Sequence, residues 1–316
     1  MRADGRDVTT VATNIGSSAA ITWASDTSLI FEQIGRDDGM QRVNAAGGRV
    51  ELLIPLDTAV GEVRQRRPLV LRAAGVVVYG SYQSRGAEPT LVMYRMADRR
   101  RVRLELEGIG ALGMINDRLV YSLSDGTLMA VEVDVRAMQT RGEPVRLGTR
   151  VAASGTGTSV ALSASGALVH AGGEAGALSR LDLIDTLRKA SPLHAAAPIV
   201  GLPRFSRDGR RVAVGIGVEG RIGRANRVTT SDLWTIDVGS GEATRLTSNG
   251  DAANATWFPD GRRIAYLKVV AEGFEIWSAR ADVFRSRATL ARIRWCVPSS
   301  RACDPSIRAS RPMDGG

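Results

Sequence analysis

FSRDGRRVAV (205–214) and WFPDGRRIAY (257–266) are two copies of one unit. In each, an aromatic strand end is joined to a second apolar strand through a polar turn that contains Asp-Gly, the pair best suited to the positive backbone angles of a tight hairpin. The aspartates therefore read as turn formers. Weaker copies lie upstream: WASDTSLIFE (23–32), VLRAAGVVVYG (70–80), MINDRLVYS (114–122) and LSASGALVHA (162–171). Their second strands start near Ser28, Gly75, Arg118, Gly166, Arg211 and Arg263, at spacings of 47, 43, 48, 45 and 52 residues.

Each copy continues into a third strand, such as GTLMAVEVD (126–134), SDLWTIDV (231–238) or FEIWSARAD (274–282). A fourth usually follows, as in RVELLI (49–54), RVRLEL (101–106) and EATRLT (242–247). These runs are short, rich in β-branched or aromatic residues, and bounded by Gly, Asp or Ser. Four strands per repeat of roughly 40–50 residues describe the blade of a β-propeller. The expected fold is all-β: six four-stranded antiparallel blades at about 15–56, 64–107, 108–148, 155–195, 199–247 and 250–282. The sixth copy lacks a fourth strand of its own. DVTTVATN (7–14) resembles EATRLTSN (242–249), so a strand at 7–13 is expected to complete blade 6 and close the ring. Closure matters because an open ring leaves two blade edges unpaired. LDLIDTLRKA (181–190) is the single stretch with a possible helical period.

Composition agrees with a turn-rich globular body: 316 residues include 35 Gly, and 44% are hydrophobic. Lys189 and Lys268 are the only lysines among 42 basic residues, a bias of coding more than of phosphate recognition. Residues 283–316 hold seven arginines against Asp304 and Asp314, together with Cys296, Cys303 and Trp295, and are expected to form a disordered tail outside the 1–282 propeller. With aromatics at 5% there is no basic stripe of interleaved aromatics, so no nucleic-acid partner is expected. No apolar run reaches the length of a spanning helix, and MRADGR is not a secretory segment. The chain is accordingly expected to be soluble, and cytoplasmic unless it is joined to a membrane-anchored neighbour.

The PDGRRIAY and SRDGRRVAV hairpins, with their SDLW and FEIW third strands, resemble TolB-type, WD-repeat-like propeller repeats. RLVYSLSDGTLMAVEVDVRAMQTRGEPV (118–145) is similar to the propeller region that follows the membrane anchor in bacterial serine/threonine protein kinases. The resemblance covers roughly residues 7–282. It implies a sensory or scaffolding module that binds a protein or small ligand on one face. No kinase lobe accompanies it: the chain has no catalytic-loop His-Arg-Asp and no Asp-Phe-Gly. Phosphoryl transfer is therefore not carried over.

Catalytic and cofactor motifs are weak throughout. Gly215–Gly220 matches G-x-G-x-x-G, but an arginine-rich polar stretch follows in place of an apolar helix, so a hairpin loop is the expectation and no cofactor is assigned. His170, expected in a second strand, and His194, expected in a loop, form no cluster. There is no G-x-S-x-G elbow. Asp26, Asp125, Asp208 and Asp260 fall in turns of different blades and lack the spacing of a calcium loop. No catalytic or metal residue is assigned on these grounds. Trp23, Trp234, Trp257 and Trp277 are expected to pack between blades. The candidate binding residues are Arg221, Arg224 and Arg227 in the insertion 217–230, placed to meet an acidic partner. The alternatives are an enzyme with a metal in its axial channel, as in lactonase-like propellers, and the regulatory propeller of a prolyl-oligopeptidase-like hydrolase.

Overall fold

The structure is a computed structural model that describes residues 9–15, 20–32, 39–83, 87–151, 153–154, 157–172, 179–185, 189–197, 199–219, 229–270 and 273–281. These residues form six blades of four antiparallel strands each. Blade 1 consists of β2–β5 (Ile21–Trp23, Ser28–Glu32, Met40–Asn44, Glu51–Ile54), and blade 2 of β6–β9 (Arg64–Leu71, Val76–Tyr82, Thr90–Arg95, Arg101–Glu107). Blade 3 is β10–β13 (Gly110–Ile115, Arg118–Ser122, Thr127–Asp134, Gln139–Arg150). A two-stranded hairpin, β14 and β15 (Ala153–Ser154, Gly157–Thr158), leads into blade 4, β16–β19 (Val160–Leu162, Leu168–Gly172, Ser179–Ile184, Ala190–Ala197). Blade 5 is β20–β23 (Ile199–Phe205, Arg211–Glu219, Thr229–Asp237, Ala243–Arg245). Blade 6 takes β24–β26 (Ala252–Trp257, Arg263–Val270, Gly273–Arg280) and, as its outer strand, β1 (Thr9–Ile15) from the start of the chain.

The closing strand is thus where the sequence places it, with Thr9 opposite Ser278 and Ile15 opposite Phe274. Val11, Ala12 and Ile15 are buried and join the core between blades 6 and 1. That contact gives the edge of β26 its hydrogen-bond partners and covers apolar surface in one step.

Six apolar clusters each lie between two neighbouring blades, and the strand period explains them. In β7, Val76 and Val78 enter the cluster shared with blade 3, while Val77 and Tyr79 enter the one shared with blade 1. In β25, Ile264 and Tyr266 face blade 5, and Ala265 and Leu267 face blade 1. Successive side chains point to opposite faces, so a strand covered on both faces needs an uninterrupted apolar run. This is why the second strands of blades 2 and 6 carry long apolar runs. Trp23 meets Phe258 across the blade 1–6 boundary with ring centroids 4.3 Å apart. Trp257 donates its indole N–H to the Arg204 carbonyl of blade 5 at 3.0 Å.

The Asp-Gly turns close locally. Gly209 and Gly261 adopt φ of 69° and 65°, a region that side-chain-bearing residues enter at a cost. Asp208 Oδ1 accepts from Ser206 Oγ at 2.6 Å and from the Arg210 amide at 3.1 Å. Asp260 accepts from the Arg262 amide at 2.8 Å and from Arg263 Nε at 3.0 Å. Between blades 1 and 2 the buried Glu62 carboxylate accepts from the Asp57 amide at 2.9 Å and from Gln65 Nε2 at 2.8 Å, and pairs with Arg101 at 3.5 Å. Gln65 Oε1 in turn accepts the Met40 amide of blade 1. A single carboxylate thereby fixes the crossover.

Three expectations are corrected, and two fall outside the described residues. Residues 181–190 form no helix where they are described: β18 runs to Ile184 and β19 starts at Ala190, because pairing of β18 with β17 overrides a weak local period. His194 accordingly sits in β19 opposite Leu181, not in a loop. Gly215–Glu219 continues β21, paired in register with Thr229–Leu233, so the insertion in blade 5 begins as a strand extension and the described part of the glycine motif is not a loop. Residues 220–228, with Arg221, Arg224 and Arg227, and the tail from 282 onward lie outside the described residues. Among the described residues no helix is long and apolar enough to cross a membrane.

Candidate functional site: the axial channel

The first strand of every blade runs along the axis, and the six together enclose a cavity of about 160 Å³. Each blade contributes at least one residue to its wall: Thr22, Arg67, Ala111, Ala161, Arg204 and Thr256. Several of these strands are irregular at that depth. The register shifts between Arg66 and Leu69 in β6, between Ala111 and Gly113 in β10, between Val200 and Arg204 in β20, and between Ala253 and Thr256 in β24. A bulge inserts an unpaired residue and re-aims side chains, and here four of them converge on one axis.

Two of the converging residues are arginines, each next to a proline: Arg67-Pro68 and Pro203-Arg204. Proline cannot donate to a ladder, so it is tolerated at an edge or a bulge, and the innermost strand of a blade is an edge. Arg67 takes a left-handed backbone conformation with φ of 56° and is almost fully buried. Its amide donates to Glu32 Oε2 at 2.7 Å. Its guanidinium donates to Thr158 Oγ1 and to the Thr158 carbonyl, both at 3.1 Å. The small β14–β15 hairpin thus delivers Thr158, and Thr158 Oγ1 itself donates to Ser122 Oγ at 3.2 Å. Gly110 is required beneath this arginine, because a Cβ there would stand 2.6 Å from that of Arg67.

Arg204 is held differently. Its guanidinium has a single hydrogen bond among the described residues, to the carbonyl of its neighbour Pro203 at 3.2 Å, and no carboxylate pairs with it. Burial depresses the pKa of both arginines to about 10. For Arg204 the charge of Arg67 lowers it further, while for Arg67 the nearby Glu32 pulls the other way. Both groups remain cationic at neutral pH. Arg66, also buried, lies over the Tyr82 ring at 5.8 Å.

The residues weighed from sequence are elsewhere. Asp125, Asp208 and Asp260 bond within their own turns, and Asp26 pairs with Arg72 at 2.8 Å. His170 and His194 lie on strands of blade 4 separated by β18, and burial lowers the pKa of His194. Among the described residues no group of three or more His, Cys, Asp or Glu stands close enough to hold a metal ion. The channel arginines were not singled out from sequence. Their one shared local signal is an arginine beside a proline in a first strand.

The channel can therefore present two cationic, planar donor groups, with no nucleophile–base pair in its wall among the described residues. No protein-family model matches the sequence, and no curated protein is similar to it at the sequence level. The fold is similar to that of TolB from Acinetobacter baumannii, with a TM-score of 0.56 and 12% identity over 83% of this chain and 65% of that one. It is similar as well to the Pan2 WD40 domain of Neurospora crassa, with a TM-score of 0.54 and 9% identity over 87% and 96% of the two chains. An oligogalacturonate lyase in complex with manganese matches with a TM-score of 0.50 and 11% identity over 81% and 74%. The chain spans 65% of the length of the TolB structure. At these identities the likeness is one of fold: a six-bladed propeller with TolB-like and WD40-like neighbours, among which both enzymes and non-enzymes occur.

Proposed function

We propose that this propeller is a non-catalytic binding module, the sensory or scaffolding part of a bacterial kinase-like or Tol-like system. The observation that carries this reading is the chemistry of the axis. Among the described residues, the wall of the channel holds Arg67 and Arg204 and no carboxylate. A metal-dependent channel enzyme needs anionic oxygen ligands there, and a hydrolase needs a nucleophile beside a base. Two guanidinium groups instead suit recognition. The likeness of residues 118–145 to kinase-attached propellers supports a neighbour with a membrane anchor, which would put the module outside the cytoplasm. The arginine-bearing insertion 217–230 is the candidate contact for an acidic partner.

The test is elemental analysis of the purified chain together with turnover assays on lactones and peptides. Metal well below one equivalent and no turnover is the expected result. Stoichiometric metal with chelator-sensitive turnover would overturn the reading in favour of a channel enzyme.

A further inference from the structure

We propose that the axial channel is a binding site for a small oxyanion, a compact carboxylate or a phosphate-type ion, held between the guanidinium groups of Arg67 and Arg204. The proposal rests on the binding-module reading and names the ligand class of its channel. Three independent observations lead to it.

The charge is uncompensated where it is deepest. Arg67 is 4% exposed and Arg204 stands half-buried in the wall of the same cavity, yet neither guanidinium meets a carboxylate among the described residues. Glu32 reaches the backbone amide of Arg67, and its charge offsets part of that arginine's own. It does nothing comparable for Arg204, whose nearest charged influence is the like charge of Arg67. A cation withdrawn from water without an anionic partner is costly, fully so for Arg67 and in part for Arg204, and an anion is the ligand that removes the cost.

The donors are prepared. Thr158 holds the Arg67 guanidinium with two bonds, and Gly110 leaves the space its side chain occupies. Arg204 spends only one bond, on a neighbouring carbonyl, and keeps its remaining N–H groups for a ligand. A planar fork matches carboxylate or phosphate oxygens two at a time, and chloride cannot reproduce that geometry.

The size excludes larger anions. A cavity of about 160 Å³ is below the roughly 300–1,000 Å³ of pockets that enclose drug-sized ligands. Phosphate, sulfate, acetate and malonate fit. A nucleotide or an oligosaccharide does not.

The experiment is calorimetric titration of the full chain, in chloride buffer of fixed ionic strength, with phosphate, sulfate, acetate and malonate in separate arms. At least one anion is expected to bind saturably at one equivalent and to raise the melting temperature by several degrees over the chloride control. Saturation in the phosphate and sulfate arms identifies a tetrahedral ligand, and saturation in the acetate and malonate arms a carboxylate. Arg204→Gln should weaken that binding at least tenfold while leaving the anion-free melting temperature no lower than that of the parent. Arg204→Lys, which keeps the charge and loses the fork, should weaken it at least threefold, and this variant carries the test should the glutamine variant fold poorly. The surface variant Arg211→Gln should bind as the parent does. No saturable binding above chloride, or full affinity in the Arg204 variants, overturns the proposal. Because these anions are not turned over, such a failure leaves the binding-module reading to stand or fall on metal content and turnover.

Discussion

At the rim of blades 5 and 6, Arg211 lies 4.5 Å from the centre of the Trp257 ring and donates to the Gly261 carbonyl, and Arg263 lies 4.1 Å over Phe258 and bonds Asp260. On the axis, Arg67 and Arg204 share a cavity with each other and, among the described residues, with no carboxylate in its wall. The rim arginines lay their charge on π-faces and aspartates while their heads stay near water, an arrangement that adds a little stability everywhere it occurs. Of the channel arginines, Arg67 gives up its water almost completely and half-buried Arg204 part of it, with no aspartate or π-face among the described residues in return. The difference separates side chains that hold the frame from side chains kept available to a ligand, and it cannot be read from residue type, since all four are arginines.

The frame side of the comparison predicts losses, the largest at the ring closure. Deleting residues 1–15 removes β1 and the buried Val11, Ala12 and Ile15, exposing the edge of β26. The melting temperature should fall by about 10 °C or more, or the protein should aggregate, in a thermal scan followed by light scattering. A protein that melts unchanged would show that β1 does not belong to the frame.

Glu62→Ala is next, with a destabilisation of about 2–3 kcal/mol in urea unfolding. It strands the Asp57 amide and the Gln65 side chain at the blade 1–2 crossover. A rim variant, Arg211→Ala, should lose about 0.5–1 kcal/mol from its stacking on Trp257.

The channel side predicts the opposite sign. Without added anion, Arg204→Gln should leave the melting temperature unchanged or raise it by about 1–2 °C, because a poorly paired charge is removed. A clear loss of stability would place Arg204 with the frame arginines and erase the comparison.

The smallest effect is on the acid limb of the rim. The hydroxyl of Ser206, and then the Arg210 amide, hold the Asp208 carboxyl below its ordinary pKa. A carboxylate depressed in the folded state adds stability above its unfolded value, near 3.9, and that stability disappears as pH falls through the folded value. Melting curves between pH 5 and 2 should therefore be slightly flatter for Asp208→Asn than for the parent.

How much was legible follows the range of each interaction. The Asp-Gly hairpins at 208–209 and 260–261, the apolar second strands and the likeness of 7–14 to 242–249 are local or repeated signals, and each reappears as geometry. The stretch 181–190 misled because a short period can fit either a helix or a strand until a neighbour supplies hydrogen bonds. The Gly215–Glu219 segment misled for a related reason: glycine marks a possible turn, but its pairing with Thr229–Leu233 kept it extended.

By itself, the sequence determined the period, the four-strand unit, the number of blades and the segment that closes the ring. All of these come from alternation and turn chemistry within a few tens of residues. Only the tertiary structure decided the channel. Arg67 and Arg204 are 137 positions apart, and Thr158 reaches Arg67 across 91. Whether an arginine in a first strand faces the axis or a neighbouring blade depends on a bulge, of one extra residue between Arg66 and Leu69 in β6 and of two between Val200 and Arg204 in β20. With a side-chain period of two, a single extra residue such as that in β6 moves the side chains beyond it from one face to the other.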